Sequence, residues 1–242
     1  MNQPDANRSL VVACDVASQQ DLERLVAATG ALEFISGFKI GAMLALSVGL
    51  RATCETIRRH TSKDIIYDHQ KFGTDIPAIC GGKLLELMKE AGVSQVIAFP
   101  LSGIETLKAF AEGCREHDLE PVVGGEMTHT GFLVREGGYI ANAAPARIYQ
   151  DAVRLGVRRF VVPATKPRKM AKYRREIEEV CPDPLFLFPG VGKGQGGDIV
   201  QAFRQVQPHG AVAIVGRGIY AQPHPDQAAM NLWQSVLQAD LT

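Results

Sequence analysis

Short runs of apolar, often β-branched residues recur along the chain. They alternate with longer segments in which apolar positions return every three or four residues. The runs are Leu10–Val16, Phe34–Ile40, Asp64–Asp68, Gln95–Phe99, Glu120–Gly124, Arg159–Pro163, Leu185–Phe188 and Ala211–Val215. Their nearly continuous apolar character predicts strands buried on both faces, as in parallel sheets. Lys83–Glu90 is the clearest amphipathic helix, with Gly92 as its stop signal. Arg147–Leu155 reads the same way before Gly156, and the heavily charged Met170–Val180 runs up to Pro182 and Pro184. Strands alternating with helices in this number predict the α/β class and a single (β/α)8 TIM barrel. The expected division is a polar N-terminal tail, residues 1–9, and a barrel over residues 10–242. An open, doubly wound sheet is the alternative, but it usually has fewer strands. Residues 129–146 follow neither period. They predict either a lid or a connecting loop with a short helix.

Length and composition narrow the picture further. The chain has 242 residues, near the roughly 250 typical of this barrel. It is 46% hydrophobic and 21% charged, with zero formal net charge. That balance gives no electrostatic reason to expect nucleic acid or an anionic membrane as a partner, and it leaves room for a local basic pocket for a small anion. The five cysteines, at 14, 54, 80, 114 and 181, are odd in number and form no C-x-x-C pair. Structural disulfides are therefore not expected, and a cytoplasmic, reducing location is. No His/Cys spacing suggests zinc. The opening MNQPDANRS lacks an apolar core, so no signal peptide is expected, and no apolar run is long enough to span a membrane.

In a TIM barrel the chemistry gathers at the C-terminal ends of the strands. The residues expected there are Asp15, Lys39, Asp68 with Lys71 and Asp75, the run Glu126–His129, the loop Pro189–Asp198, and Gly216-Arg217. Charged groups at so many strand ends are costly unless they pair with each other or with a ligand. The loop PGVGKGQGGD, opened by Pro189, carries the strongest signal. Its glycines let backbone approach a phosphate, a helix expected to begin near Asp198 or Ile199 would offer N–H groups, and Arg217 would add a bidentate contact. A dinucleotide fingerprint belongs after the first strand of a βαβ unit, whereas this loop follows the seventh. A Walker A loop needs Ser or Thr after Gly-Lys, and here Gly194 follows Lys193.

The second signal is YDHQKFGTDIP, residues 67–77. Asp68, Lys71 and Asp75 together with Lys39 suggest a Lys-Asp-Lys-Asp array. Each lysine then has an anionic neighbour that keeps it protonated, and the titrations are coupled. A charged lysine facing a closed pocket is a ready general acid. The alternative is a solvated loop with surface ion pairs.

The order of these motifs resembles the orotidine 5′-phosphate decarboxylase family from Asp15 to Tyr220. The resemblance rests on EMTHTG at 126–131, PATKP at 163–167, FPGVGKGQGGD at 188–198 and VGRGIY at 215–220. It implies conversion of orotidine 5′-phosphate to UMP and CO2 with neither metal nor organic cofactor. Lys71 would be the proton donor to C6 of the pyrimidine, and Asp68 would lie near the substrate carboxylate. Lys39 would bridge that acid and the ribose, and Asp15 would bind a ribose hydroxyl. Thr128 would meet the pyrimidine edge, where the family usually has Ser. Gln195, Gly216 and Arg217 would hold the phosphate, with Pro189 among the substrate contacts. Asp75 would serve the neighbouring subunit's site, which makes the expected assembly a homodimer. His69, Gln70 and His129 would be supporting hydrogen-bond partners, and Lys193 either a phosphate contact or an exposed residue.

Three departures stand out. The family pattern is Asp-x-Lys-x-x-Asp, and here each gap holds one more residue. Asp-x-x-Lys in a strand puts its ends on opposite faces, so a bulge or early strand end is expected near His69–Gln70. The phosphate loop has one extra residue around Lys193-Gly194. Ile79 stands where the family often has a Thr that reaches the partner's substrate. Two other readings compete: a metal-dependent sugar-phosphate lyase or aldolase of the same superfamily, acting for example on a 3-keto-hexulonate 6-phosphate, and a noncatalytic nucleotide-binding barrel.

Overall fold

Alternation along each strand decides which side chains enter the barrel and which face the helices. The computed structural model describes residues 7–68, 74–192 and 196–239. In it β1 (Arg8–Ala13), β2 (Ile35–Gly41), β3 (Asp64–Asp68), β4 (Gln95–Ala98), β5 (Glu120–Gly124), β6 (Arg159–Val161), β7 (Leu185–Pro189) and β8 (Gly210–Val215) pair in chain order. Every pairing is parallel, and β8 closes on β1 with Arg8 opposite Ala211, so the expected closed barrel is present.

The outer layer of helices starts with α1 (Gln19–Thr29) after β1, α2 (Ala42–Ser47) and α3 (Leu50–Arg58) after β2, and α4 (Pro77–Cys80) and α5 (Lys83–Glu90) after β3. It continues with α6 (Ile104–Glu116), α7 (Ala144–Arg154), α8 (Pro167–Glu178) and α9 (Ile199–Val206), one after each of β4 to β7. After β8 come α10 (Arg217–Tyr220) and α11 (Pro225–Leu237). None of the described helices is long and apolar enough to cross a membrane.

Two apolar layers result. Val12, Phe38, Val96, Phe160 and Phe188 face outward into a large core shared with Leu22, Leu107, Phe203 and Trp233 of the helices. Their neighbours in sequence, among them Val11, Ile97, Val161, Leu187 and Ile214, fill the barrel interior. Each fully buried side chain of this size contributes roughly 1.5–3 kcal/mol. The outer layer therefore carries most of the stability, and the inner layer supplies a floor for the site above it.

Strand positions follow the hydrophobic pattern closely, and the differences lie at the ends. β1 starts at Arg8 rather than Leu10, because the ladder to β8 needs only backbone groups there, and it ends at Ala13 rather than Val16. β6 stops at Val161, ahead of Pro163, which has no N–H to continue a ladder. α7 begins at Ala144 and α8 at Pro167, both earlier than apolar periodicity suggested. Pro145 and Pro167 sit in their first turns, where a fixed φ favours a helix start. Of residues 129–146, the last begin α7, and those up to 143 form a connecting segment with a short 3-10 turn at Val134–Glu136. Leu133 is buried beneath it and bridges to Ile140.

Candidate active site

The inner-face positions turn polar where the strands reach their C-terminal ends. In β1 the inward series Val11, Ala13 continues to Asp15, and in β3 Ile66 continues to Asp68. Lys39 lies between them, its backbone opposite Ala13 on one side and Ile66 on the other. Its Nζ is 3.0 Å from Asp68 Oδ2 and 3.3 Å from Asp15 Oδ1. Burial alone would push the Lys39 pKa down. Attraction to Asp68, then to Asp15, outweighs burial and holds the pKa above its ordinary value, so the ammonium is charged. The other Asp68 oxygen, Oδ1, is buried and has no hydrogen-bond partner among the described residues. Among the described residues the group thus carries one cation against two carboxylates, with one acceptor unspent.

These side chains floor a cavity of about 370 Å3 whose lining also includes Thr128, His129, Thr165, Pro189, Gly190, Gly216 and Arg217. That volume falls within the roughly 300–1,000 Å3 usual for small-molecule sites. Gly216 caps the N-terminus of α10, and Arg217 is its first residue. They put a cation and backbone at the end of the cavity formed by β8.

Backbone constraints bring the β5, β6 and β7 loops together. Gly190 has φ of +93°, and a Cβ there would come within 2.9 Å of the Thr165 methyl and 3.2 Å of the Thr128 methyl. Only glycine meets both conditions without strain. The Thr165 hydroxyl donates to the Thr128 carbonyl at 2.6 Å. The stems of the β7 loop are tied by Gly197 N–H to Gly190 O, 2.9 Å, and Gly192 N–H to Gly197 O, 3.1 Å. α9 begins at Ile199, where the helix start was expected, and Asp198 caps it, accepting from Gln201 N–H at 2.8 Å. Its carboxylate therefore occupies the terminus that was expected to receive an anion, and Gly216 and Arg217 stand on the cavity in its place.

A smaller chamber of about 60 Å3 lies beside Asp68, walled by Ile97, Phe99, Met127, Val161 and Ile214 together with Glu126, Thr128 and Pro189. Gly124 makes room for the Phe99 ring, whose atoms come within 2.3 Å of where a Cβ would stand.

Of the sequence-predicted residues, Asp15, Lys39, Asp68, Thr128, Pro189, Gly216 and Arg217 converge on the cavity. Asp75 does not line it. It is exposed, its Oδ1 accepts from Ile76 N–H at 2.7 Å, and its carbonyl accepts from Thr106 Oγ1 at 3.0 Å. Ile79 is also exposed, on α4. Lys71 and Gln195 lie outside the described residues, as do His69, Gln70, Lys193 and the expected bulge. Sequence reasoning missed Thr165 and the Phe99 chamber. Continuing the inward series Val161, Pro163 by two would have found the first; the second depends on Gly124, which carries no side-chain signal. Among the described residues no group of His, Cys, Asp or Glu is arranged to hold a metal.

The sequence profile of the orotidine 5′-phosphate decarboxylase / HUMPS family matches residues 8–232. Orotidine 5′-phosphate decarboxylase of Methanosarcina mazei is 30% identical over 240 residues, covering 98% of both chains. The Methanococcus maripaludis enzyme of the same name is 29% identical over 220 residues, covering 91% of this chain and 93% of its own. The fold matches the crystal structure of Methanocaldococcus jannaschii orotidine 5′-monophosphate decarboxylase complexed with inhibitor BMP, with a TM-score of 0.79 at 22% identity over 97% of this chain and 98% of that one. Fold, motif order and sequence similarity agree along nearly the whole length, and the chain belongs to the orotidine 5′-phosphate decarboxylase / HUMPS family.

Proposed function

We propose that this protein decarboxylates orotidine 5′-phosphate to UMP and CO2, without a cofactor, in de novo pyrimidine synthesis. The observation that carries the reading is Lys39, held charged between Asp15 and Asp68 on the floor of a cavity whose far end bears Gly216 and Arg217. A nucleoside monophosphate has matching ends, a ribose with hydroxyls to accept and donate and a dianion to be gripped.

The reaction breaks the bond from C6 to the carboxylate, leaves the electron pair on C6 and releases CO2. A proton then fills that pair. Stabilisation has to come from placed positive charge, because no electron sink is built into the substrate. Lys71 is assigned this role from its motif position as the donor to C6. The unspent Asp68 Oδ1 supports a second cation beside Lys39. The small chamber next to Asp68, with Ile97, Phe99, Val161 and Ile214 in its wall, offers room for a departing CO2. Asp15 and Lys39 take the ribose hydroxyls, Thr128 the pyrimidine edge with Pro189 against the substrate, and Gln195, Gly216 and Arg217 the phosphate.

The site is completed by a second copy of the chain, which brings its Asp75 to the first copy's Lys71. Exposed apolar side chains favour such a homodimer. Met43, Leu46, Ile76, Ile79, Ile104 and Tyr139 are all exposed on the segments that follow β2 to β5, at the cavity end of the barrel. The five buried cysteines, none of them in a disulfide, fit a cytoplasmic setting.

The test is loss of orotate absorbance with a chelator present. Wild type is expected to turn over, and Lys71→Ala to lose on the order of 10³-fold or more in kcat, the scale of a general acid. An intact rate in Lys71→Ala would remove the proton-donor assignment. Dependence on Mg2+ would favour the sugar-phosphate reading.

A further inference from the structure

A second charged cluster lies behind the cavity wall, reaching the small chamber through Glu126, and the reaction as described gives it no role. Glu126 follows β5, and its side chain is wholly buried. Its Oε1 accepts from Lys166 Nζ at 2.7 Å and from Lys169 Nζ, and its Oε2 accepts from the Tyr173 hydroxyl. Both lysines also reach Glu136, Lys166 at 3.2 Å and Lys169 more closely. Two acids and two bases thus close a neutral square, with Tyr173 on its inner corner.

The cluster joins parts of the chain that border the cavity. Glu126 is two residues from Thr128, and Lys166 is next to Thr165, the two threonines whose hydrogen bond joins the cavity's β5 and β6 sides. Glu136 sits in the 3-10 turn of the segment between β5 and α7, while Lys169 and Tyr173 belong to α8. That segment is compact in itself: Leu133 is buried, Val134 N–H donates to Ile140 O at 2.8 Å, and Gly138 lies so near Gly131 O that a Cβ would approach to 2.2 Å. Glu136 ties it ionically to Lys166 and to Lys169 of α8.

Buried ion networks return little net stability, since desolvation offsets most of the attraction. They do single out one arrangement, because any other leaves a buried charge unpaired. We propose that Glu136 and Lys169 are positioning residues for the pyrimidine end of the substrate: with Glu126, Lys166 and Tyr173 they clamp the β5–α7 segment onto α8 and so fix Thr128 and Thr165 at the cavity wall. This rests on the reading that a pyrimidine nucleotide occupies the cavity. The phosphate contacts Gly216 and Arg217 come from the end of β8 and the start of α10, outside the clamp, although the β7 loop touches Thr128 and Thr165 through Gly190.

The experiment compares wild type with Glu136→Gln, Lys169→Met and the conservative Lys169→Arg. Amide hydrogen exchange over residues 127–140 of the free protein reads the clamp. The kcat for orotidine 5′-phosphate and inhibition by UMP and by ribose 5-phosphate read its consequence. In Glu136→Gln and Lys169→Met, exchange is expected to accelerate, and kcat and UMP affinity to fall by about 10-fold, the scale of a sub-ångström misplacement. Inhibition by ribose 5-phosphate should weaken far less, since Gly216 and Arg217 lie outside the clamp, and Lys169→Arg should behave like wild type. Unchanged exchange overturns the clamp. Faster exchange with unchanged kcat and UMP affinity, or equal loss of UMP and ribose 5-phosphate binding, overturns the positioning role. Wild type without turnover of orotidine 5′-phosphate would sink the functional reading itself. An active wild type with silent variants would sink only this inference.

Discussion

Two buried charge clusters stand about the same barrel mouth, and they are built to opposite rules. Around Glu126, acids and bases balance, and Glu126 takes hydrogen bonds on both oxygens. Around Lys39, two carboxylates share one described cation, Asp68 Oδ1 has no partner among the described residues, and the group opens onto the cavity. A satisfied network fixes geometry, whereas one with surplus charge and an open face is prepared to receive a ligand or a further cation. The difference separates the residues that hold the site from those that act in it.

The comparison is broken most severely at Lys39. Lys39→Met removes the cation from between two carboxylates and takes from the buried Asp68 its described ion pair. Stability is expected to fall on the order of 3 kcal/mol, measured by urea unfolding, and activity to vanish with it. An equally stable variant would mean that the Lys39–Asp68 ion pair contributes nothing to stability. Arg217→Ala comes next. It should raise KM for orotidine 5′-phosphate by about 10²-fold through loss of charge-assisted hydrogen bonds, with little change in the unfolding midpoint. Gly124→Ala presses a methyl into the Phe99 ring and should cost about 1–3 kcal/mol by overpacking, read as a lower Tm. The smallest effect sharpens the clamp side. The ammonium of Lys169, chiefly, holds the Glu136 carboxyl down to about 2, well below its ordinary 4.5. The folded pKa is the lower one, so this contribution is complete above about pH 4.5 and fades as pH falls toward 2. Tm against pH should therefore drop less steeply in that window for Glu136→Gln than for wild type; parallel curves would argue that the ion pairs contribute nothing.

The working half of the contrast was more legible in the sequence than the holding half. Strands buried on both faces announce themselves as apolar runs, and a period of two carries Asp15, Lys39 and Asp68 to the inner face. Gly216 and Arg217 follow from their place after the last strand. The clamp was not legible. Glu126 and Lys166 stand in recognisable motifs, but Glu136, Lys169 and Tyr173 come from a 3-10 turn and a charged helix face that look solvated until the segment folds back over them. The Asp198 cap shows the same limit: the helix start could be read, but not that its own carboxylate would fill the terminus. Asp75 marks a third case, since a residue proposed to serve another subunit leaves no trace in the cavity of its own chain.

The most direct measurement of the central claim is product analysis with orotidine 5′-phosphate. The account predicts that wild type forms UMP and CO2 in equal amounts with the chelator present, and that Lys39→Met forms neither. Undiminished turnover by Lys39→Met, or no UMP from wild type, would contradict it.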